Sequence, residues 1–294
     1  MLDEWNIPGD SGSFDSSPSS ISTELTIQQC LLAGSKGVDI SNEHYHAKLP
    51  GISGSNLSLL AESNKHLDNK ALFNLGESPA LTFGTLLHTM VLEPHDIKNN
   101  YAIMPKFDGR TTKGKAAKKK FTEESKNKIV IDNDDFETAQ NMTRNVMAIC
   151  GDIINKGVKE KSYFVRDGDL ILKIRPDCYF TECGSEFDLK SITPKYMDMS
   201  DRALERHIIS LGYHISAGYR NYVRKLMGMP TGDFYLLFVS TSPGCMVRNI
   251  RIADAWIEES EFYVKELLES RKFYLSTGLD KGVSVIDRSS RKYE

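Results

Sequence analysis

What this 294-residue sequence has little of narrows it before any motif is read. Its cysteines (Cys30, Cys150, Cys178, Cys183 and Cys245) are odd in number, scattered and without a CxxC pair. That argues against a disulfide framework and against a zinc knuckle, and it suits reduced thiols. No apolar run approaches the length of a membrane span, and the acidic, polar beginning of the chain has no signal-peptide pattern. A cytoplasmic protein with no membrane partner is therefore expected. The net charge is only -3, so affinity for nucleic acid would have to come from a local basic surface. What remains is an ordinary composition, long enough for one large or two modest domains with a proper core.

The first 22 residues or so are rich in serine, with Gly and Pro between, and carry too little apolar material to offset the entropy of ordering. Thr23 to Leu32 reads as a short helix before Gly34 and Gly37. His44 and His46 alternate as a metal pair would, but in a polar loop they read as surface residues. Ser78-Pro79 opens a helix with a cap residue and an N1 proline, and Pro94 closes it. On that helix Leu81, Gly84, His88, Val91 and Leu92 share a face. His88 thus points inward, as a core histidine or as a ligand.

From Arg110 to Lys128 the composition turns basic, with Arg110, Lys113, Lys115, Lys118, Lys119, Lys120, Lys126 and Lys128 opposed only by Glu123 and Glu124. Most charge runs are solvated faces. The functional reading is contact with phosphates, since lysines without base-reading neighbours grip a backbone and not a sequence.

Asp132 to Gly157 is amphipathic, with Phe136, Ala139, Thr143, Val146, Met147, Cys150, Ile153 and Ile154 on one apolar stripe. Ser162 to Arg166 and Leu170 to Arg175 read as a β-hairpin turning at Asp167-Gly168-Asp169. A helix is expected from about Leu204 to Met227, then strands at Phe234 to Ser240 and Met246 to Ile252, then a helix from Ala253 to about Leu275. This order predicts an α/β sandwich, a mixed central β-sheet flanked by helices.

Between the hairpin and the next helix lie Ile174-Arg175-Pro176-Asp177-Cys178-Tyr179 and Glu186-Phe187-Asp188-Leu189-Lys190-Ser191. In a strand Asp188 and Lys190 point to one side and Leu189 to the other. A neighbouring strand ending at Asp177 would bring a second carboxylate beside Asp188, and a divalent cation such as Mg2+ is the cheapest way to keep both ionised. Lys190 would then lie close enough to assist a metal-bound water in attacking a phosphodiester, the chemistry of a metal-dependent nuclease. An acidic-x-Lys triplet also occurs at Asp68/Lys70, Asp96/Lys98 and Glu124/Lys126, so spacing alone leaves two solvated carboxylates and a surface lysine as an equal reading. Glu160, just before the hairpin, is either a further ligand or a charged residue at the start of a strand.

Several separated motifs, in order, carry a family resemblance. They are Tyr45-His46 through Gly51-Ile52-Ser53, Gly84-Thr85-Leu86-Leu87-His88 with Leu92-Glu93-Pro94, and Phe107-Asp108-Gly109-Arg110-Thr111-Thr112 to Gly114-Lys115. Then come Arg175-Pro176-Asp177, Phe187-Asp188-Leu189-Lys190 and Tyr213-His214-Ile215-Ser216-Ala217-Gly218-Tyr219. Over about residues 44 to 275 the chain resembles the RecE-type exonucleases (exodeoxyribonuclease VIII) of the PD-(D/E)xK superfamily. The resemblance implies a restriction-endonuclease-like core at 44–280 between a flexible arm, 1–43, and a tail, 281–294. It implies metal ligands at His88, Asp177, Asp188, Glu160 and the Leu189 carbonyl, and catalytic roles for Lys190, Asp177, Asp188 and Tyr219, the last being the tyrosine of the helix after the site. Mg2+, with Mn2+ as a substitute, would be the cofactor, and Arg110 with the lysines at 113, 115, 118, 119 and 120 would hold DNA. It also implies digestion of linear double-stranded DNA from the 5′ end, a toroidal homo-oligomer, and a single-strand annealing partner of the RecT type in phage-type recombination. Where the family usually has glutamine this chain has Ser216, whose shorter hydroxyl reaches less far; the departure bears on how that helix supports the site. Alternatives are a single-strand or structure-specific nuclease of the same superfamily and a non-catalytic DNA-binding scaffold. The iron–sulfur members would need several cysteines near the C-terminus, where only Cys245 lies.

Overall fold

A computed structural model describes residues 24–70, 78–194 and 198–280. The serine-rich start and the tail from 281 lie outside these. Helix α1, Ile27–Ala33, begins in a capping box in which the Thr26 side chain accepts from Gln29 N–H and the Gln29 side chain accepts from Thr26 N–H. Residues 24–43 were expected to belong to a flexible arm. They pack instead, because Cys30 with Leu25, Ile27 and Leu31 has Tyr45, Leu49 and Phe164 to bury against. His44, expected at the surface, is buried and its Nε2 lies 2.7 Å from the Leu25 carbonyl oxygen.

Two short helices follow, α2 (Leu57–Glu62) and α3 (Asn64–Asp68), and then α4, Pro79–Leu92, with Ser78 accepting from Leu81 N–H at 3.2 Å. Strands β1 (Tyr101–Met104) and β2 (Ile129–Asp132) pair in parallel on either side of the basic helix α5, Thr112–Glu124. Helix α6 spans Asn133–Ile154. Its stripe is buried as expected except at Met147, half-buried, and Ile153, 47% exposed, which lies past the edge of the sheet-facing side. Leu81, expected on the inner face of α4, is likewise exposed, and Leu86, Leu87 and Met90 take that role.

The centre is a five-stranded mixed sheet, β3 (Val158–Lys159), β6 (Cys178–Tyr179), β7 (Glu186–Ile192), β8 (Phe234–Ser240) and β9 (Val247–Ile252), in that spatial order. The β7–β8 pair is parallel and the others are antiparallel. The hairpin β4 (Tyr163–Asp167) and β5 (Leu170–Ile174) forms where expected, but Asp167 pairs with Leu170 and so belongs to the strand, leaving Gly168-Asp169 as the turn; among the described residues it pairs only with itself and through single bridges to Val38 and Ile52. Asp177 was expected to end a strand; it lies in the turn before β6.

Alternation along β7 and β8 sorts the two faces. Phe187, Leu189, Leu237 and Val239 pack with Leu87 and Val91 of α4 and Met142, Val146 and Cys150 of α6. Phe234, Leu236 and Phe238 pack on the other face with Leu204 and Ile208 of α7 (Asp201–Leu211), Ala217 of α8 (Tyr213–Leu226) and Ile257 of α9 (Asp254–Thr277). One helix had been expected over 204–227. Gly212, at φ 65°, breaks it into α7 and α8, since that left-handed conformation ends an α-helix and suits glycine. No helix among the described residues is long and apolar enough to cross a membrane.

Helices α8 and α9 cross at Gly218, where an added Cβ would sit 2.6 Å from Glu261 N and 2.7 Å from the Ser260 carbonyl carbon. Both are main-chain atoms, so the helices would have to separate. Gly218→Val should therefore lower the stability to chemical denaturation by about 2 kcal/mol or more; an unchanged midpoint would contradict this close crossing.

Candidate active site

Strand β6 is two residues long and pairs with only Phe187 and Glu186 of β7. Beyond that point the β7 edge away from β8 has no strand beside it among the described residues, although a buried N–H and C=O must still find partners. Side chains take the place of a strand. The Leu189 N–H donates to Asp177 Oδ2 at 2.7 Å, and the Leu189 carbonyl accepts from His88 Nε2 at 2.8 Å. One residue of unpaired edge thus draws together the turn before β6 and the middle of α4.

With its Nε2 proton spent on Leu189, neutral His88 keeps a lone pair on Nδ1. That nitrogen lies 3.5 Å from Asp177 Oδ2 and 3.9 Å from Glu160 Oε1. Glu160 follows β3 with φ 49°, a left-handed conformation that is costly for a non-glycine residue and is often kept at functional sites. Its N–H donates to the Asp177 carbonyl at 3.4 Å. One ligand atom from each of His88, Glu160 and Asp177 lies within 4.8 Å of the others.

Asp188 and Lys190 stand beside this group on the α8 face of β7. Lys190 Nζ is in contact with Asp188 Oδ2, and it lies 5.2 Å from the centre of the Tyr213 ring. The other Asp188 oxygen is 2.8 Å from Arg220 NH2. Arg220 also pairs with Glu186, whose second oxygen is 2.9 Å from Arg224 NH2. Glu186, Asp188 and Lys190 recur every second residue on the strand, and Arg220 and Arg224 are four apart on α8, so the two elements interlock charge to charge.

Tyr219 is not brought to this cluster. It is fully buried, accepts from Lys173 N–H at 3.2 Å, and donates to the Ile52 carbonyl, so it ties the turn at 52 to the hairpin. Sequence reasoning missed Arg220, its neighbour. The available signal was helical spacing, since Arg220 and Arg224 share a face opposite an alternating acidic strand. The expected DNA-contact residues are all exposed. Thr111 caps their helix, accepting from Gly114 N–H at 3.0 Å, and the Phe107 and Phe121 rings, 5.8 Å apart, pin it. Of Arg110 and the five lysines, only Lys120 is paired among the described residues, to Glu124 at 3.6 Å.

The electrostatics fit a cation. Burial pushes Asp177 up to about 6, with the His88 charge opposing this and Asp188 adding to it. Burial disfavours charge on His88, but Asp177 and Glu160 outweigh it and raise its pKa. For Asp188 burial is again the largest influence, yet Lys190 and Arg220 together hold its carboxyl below the usual range. Two carboxylates and an imidazole converging where one carboxylate is reluctant to ionise suit a divalent ion with oxygen and nitrogen ligands.

The same shift carries a consequence for stability. Asp177 is raised from 3.8 to about 6, so the folded state binds that proton more tightly than the unfolded chain does. Its contribution is complete below the unfolded value and is lost as pH rises through about 6. His88, also raised, has the same sign. Metal-free Asp177→Asn should match the parent near pH 4 and exceed it by roughly 1–3 kcal/mol at pH 8 in denaturant titrations. A variant less stable at both pH values would contradict the assignment of strain to this carboxylate.

Comparison with known folds agrees with this architecture. A crystal structure from Eubacterium rectale, described as a candidate exonuclease, is similar to this chain with a TM-score of 0.53 and 15% identity, covering 84% of this chain and 97% of its own. A phage-related exonuclease from Haemophilus somnus 129PT is similar at TM-score 0.32 and 11% identity, covering 66% of this chain and 95% of its own. No curated protein matches the sequence. The family described as a PDDEXK-like domain of unknown function (DUF3799) matches residues 52–277. With a mixed sheet whose open edge gathers His88, Glu160, Asp177, Asp188 and Lys190, the chain belongs to that PDDEXK-like family.

Proposed function

We propose that the protein is a metal-dependent exodeoxyribonuclease that digests linear double-stranded DNA from the 5′ end and leaves 3′ single-stranded tails for recombination. The observation that carries the reading is the convergence of His88 Nδ1, Glu160 and Asp177 within 4.8 Å, beside a lysine held by Asp188. In this reading His88, Glu160 and Asp177 would hold Mg2+, or Mn2+ in its place, and the Leu189 carbonyl and Asp188 would be the further ligands. When bound, the ion supplies Lewis-acid stabilisation of charge on the phosphodiester.

The remaining work falls to the chain's own groups. Leu189 fixes the Asp177 carboxylate and the His88 ring from the main chain, so neither has to be ordered when substrate arrives. Burial alone would discharge Lys190, but Asp188 and Asp177 hold its pKa above the ordinary value. It therefore stays an ammonium, able to orient the attacking water and offset developing negative charge. Arg110 and the lysines of α5 grip the phosphate backbone without reading bases. The 5′ polarity, the toroidal assembly and the RecT-type annealing partner rest on the sequence resemblance alone.

Duplex DNA labelled at the 5′ or the 3′ end, incubated with Mg2+ and with chelator, tests the reading directly. Label should leave the 5′ end first, only with metal, and closed circles should survive. Lys190→Ala should reduce turnover by roughly a thousandfold or more; undiminished digestion would end the assignment, and digestion of single strands alone would favour the structure-specific alternative. For α5, replacing Lys118, Lys119 and Lys120 with glutamine should weaken duplex binding and make the log–log salt slope shallower by about 2–3. An unchanged slope would return this helix to an ordinary solvated face.

A further inference from the structure

Helix α8 carries three tyrosines, Tyr213, Tyr219 and Tyr222, and two of them already have protein partners. The Tyr219 hydroxyl donates to the Ile52 carbonyl, and the Tyr222 hydroxyl donates to Asp167 Oδ2 at 2.9 Å. The Tyr213 hydroxyl has no hydrogen-bond partner among the described residues. Its ring is nevertheless fixed. Gly212 turns the chain at φ 65° and makes Tyr213 the first residue of α8, where three neighbours hold the ring. The Phe238 ring is tilted against it at 6.2 Å, the His207 ring meets it edge-on at 5.9 Å, and Lys190 Nζ lies 5.2 Å from its centre. Phe238 is the β8 residue paired in register with Lys190, so the aromatic wall and the lysine stand on one face of the sheet. A tyrosine buries its ring and keeps its hydroxyl wet unless that hydroxyl finds a protein partner. Tyr213 is half-buried. Burial raises its pKa, and the charges of Lys190 and Asp188 also act on the hydroxyl, the first opposing the rise and the second adding to it. The hydroxyl thus shares the space in front of Lys190.

We propose that Tyr213 is a substrate-binding residue, whose hydroxyl donates to a non-bridging oxygen of the DNA phosphate that Lys190 faces and whose ring keeps the lysine ammonium at the site. This rests on the nuclease reading above and adds to it a contact with the phosphodiester itself. Lys190 is a compact point charge already in contact with Asp188, so it attracts a phosphate without setting its orientation. A neutral hydroxyl supplies a directional donor and adds no charge to compete with a metal ion. The ring face, in turn, attracts the ammonium on the side away from Asp188 and limits its swing. Ser216, one helical turn on, is too short for the same task and lies against another element: a Cβ added at Gly54 would sit 3.5 Å from its hydroxyl. Tyr219, the tyrosine that the sequence singles out, is committed to the hairpin. The tyrosine that α8 offers to substrate is Tyr213.

Steady-state digestion of an end-labelled duplex by the full chain with Mg2+, together with binding of the metal-free protein to the same duplex by fluorescence anisotropy, tests this. Tyr213→Phe keeps the ring and loses the hydroxyl. It should raise KM and weaken binding roughly tenfold, with a smaller effect on kcat. Tyr213→Leu loses both groups, and should show the same loss of binding with kcat lower by about a further fivefold. A tyrosine that serves packing alone would leave Tyr213→Phe at the parent values of KM and binding, and that result would overturn the phosphate contact even if Tyr213→Leu failed to fold. A folded Tyr213→Leu with the same kcat as Tyr213→Phe would overturn the role of the ring. A parent protein that digests no DNA with Mg2+ would overturn the nuclease reading itself and this proposal with it, a result distinct from either variant's.

Discussion

The site depends on one missing strand segment. Because β6 ends after two residues, the main chain of Leu189 is left in the interior with a donor and an acceptor to satisfy, and burying either unpaired is expensive. Asp177 takes the N–H and His88 takes the carbonyl. Those two bonds set the distance between the turn before β6 and helix α4, and Glu160 is carried in by its own bond to the Asp177 carbonyl. Three residues, His88 far upstream of Glu160 and Asp177 in the sequence, become neighbours because one edge needed partners.

The opposite side of the same strand is governed by charge. Glu186 and Asp188 are buried acids, and burial of an unpaired carboxylate is far costlier than any surface ion pair is worth. Arg220, Arg224 and Lys190 meet them, so α8 is held to β7 by a row of paired charges in addition to the apolar contacts of Ala217 with the sheet. The close crossing of α8 and α9 at Gly218 backs that row from behind. The catalytic lysine of the proposed mechanism is thus the outermost member of a structural network. Its position is inherited from the packing of a helix on a strand.

The contrast between Asp177 and Asp188 shows how environment divides like groups. Both are buried aspartates near Leu189. Asp188 lies between two cations and is held ionised, whereas Asp177 has an imidazole and a second carboxylate for company and is pushed up to about 6. A divalent ion has most to offer Asp177. Without that ion the cluster is a place where the fold carries strain, as the left-handed backbone at Glu160 also indicates.

Much of this was legible in the sequence. The Ser78-Pro79 cap, the turn at Gly168-Asp169, the apolar run at Phe234 to Ser240 and the Asp188/Lys190 alternation are local signals, and local chemistry decides them. They determined the layered α/β architecture with its mixed sheet, and they offered Asp177, Asp188 and Lys190 as one of two equal readings; only the family resemblance joined His88 to them. Tertiary structure decided what depends on partners distant in sequence. It split the helix at Gly212, because a single glycine in a helical pattern is read as tolerated until neighbours require the turn. It turned Tyr219 toward the hairpin and Arg220 toward Asp188, a difference of one residue, or about 100° around a helix, that apolar periodicity cannot resolve when both side chains are long and partly apolar. And it set apart two aspartates that look alike in the sequence, raising the pKa of one and lowering that of the other, because a carboxylate's chemistry is set by the charges packed against it, and those come from other elements of the fold.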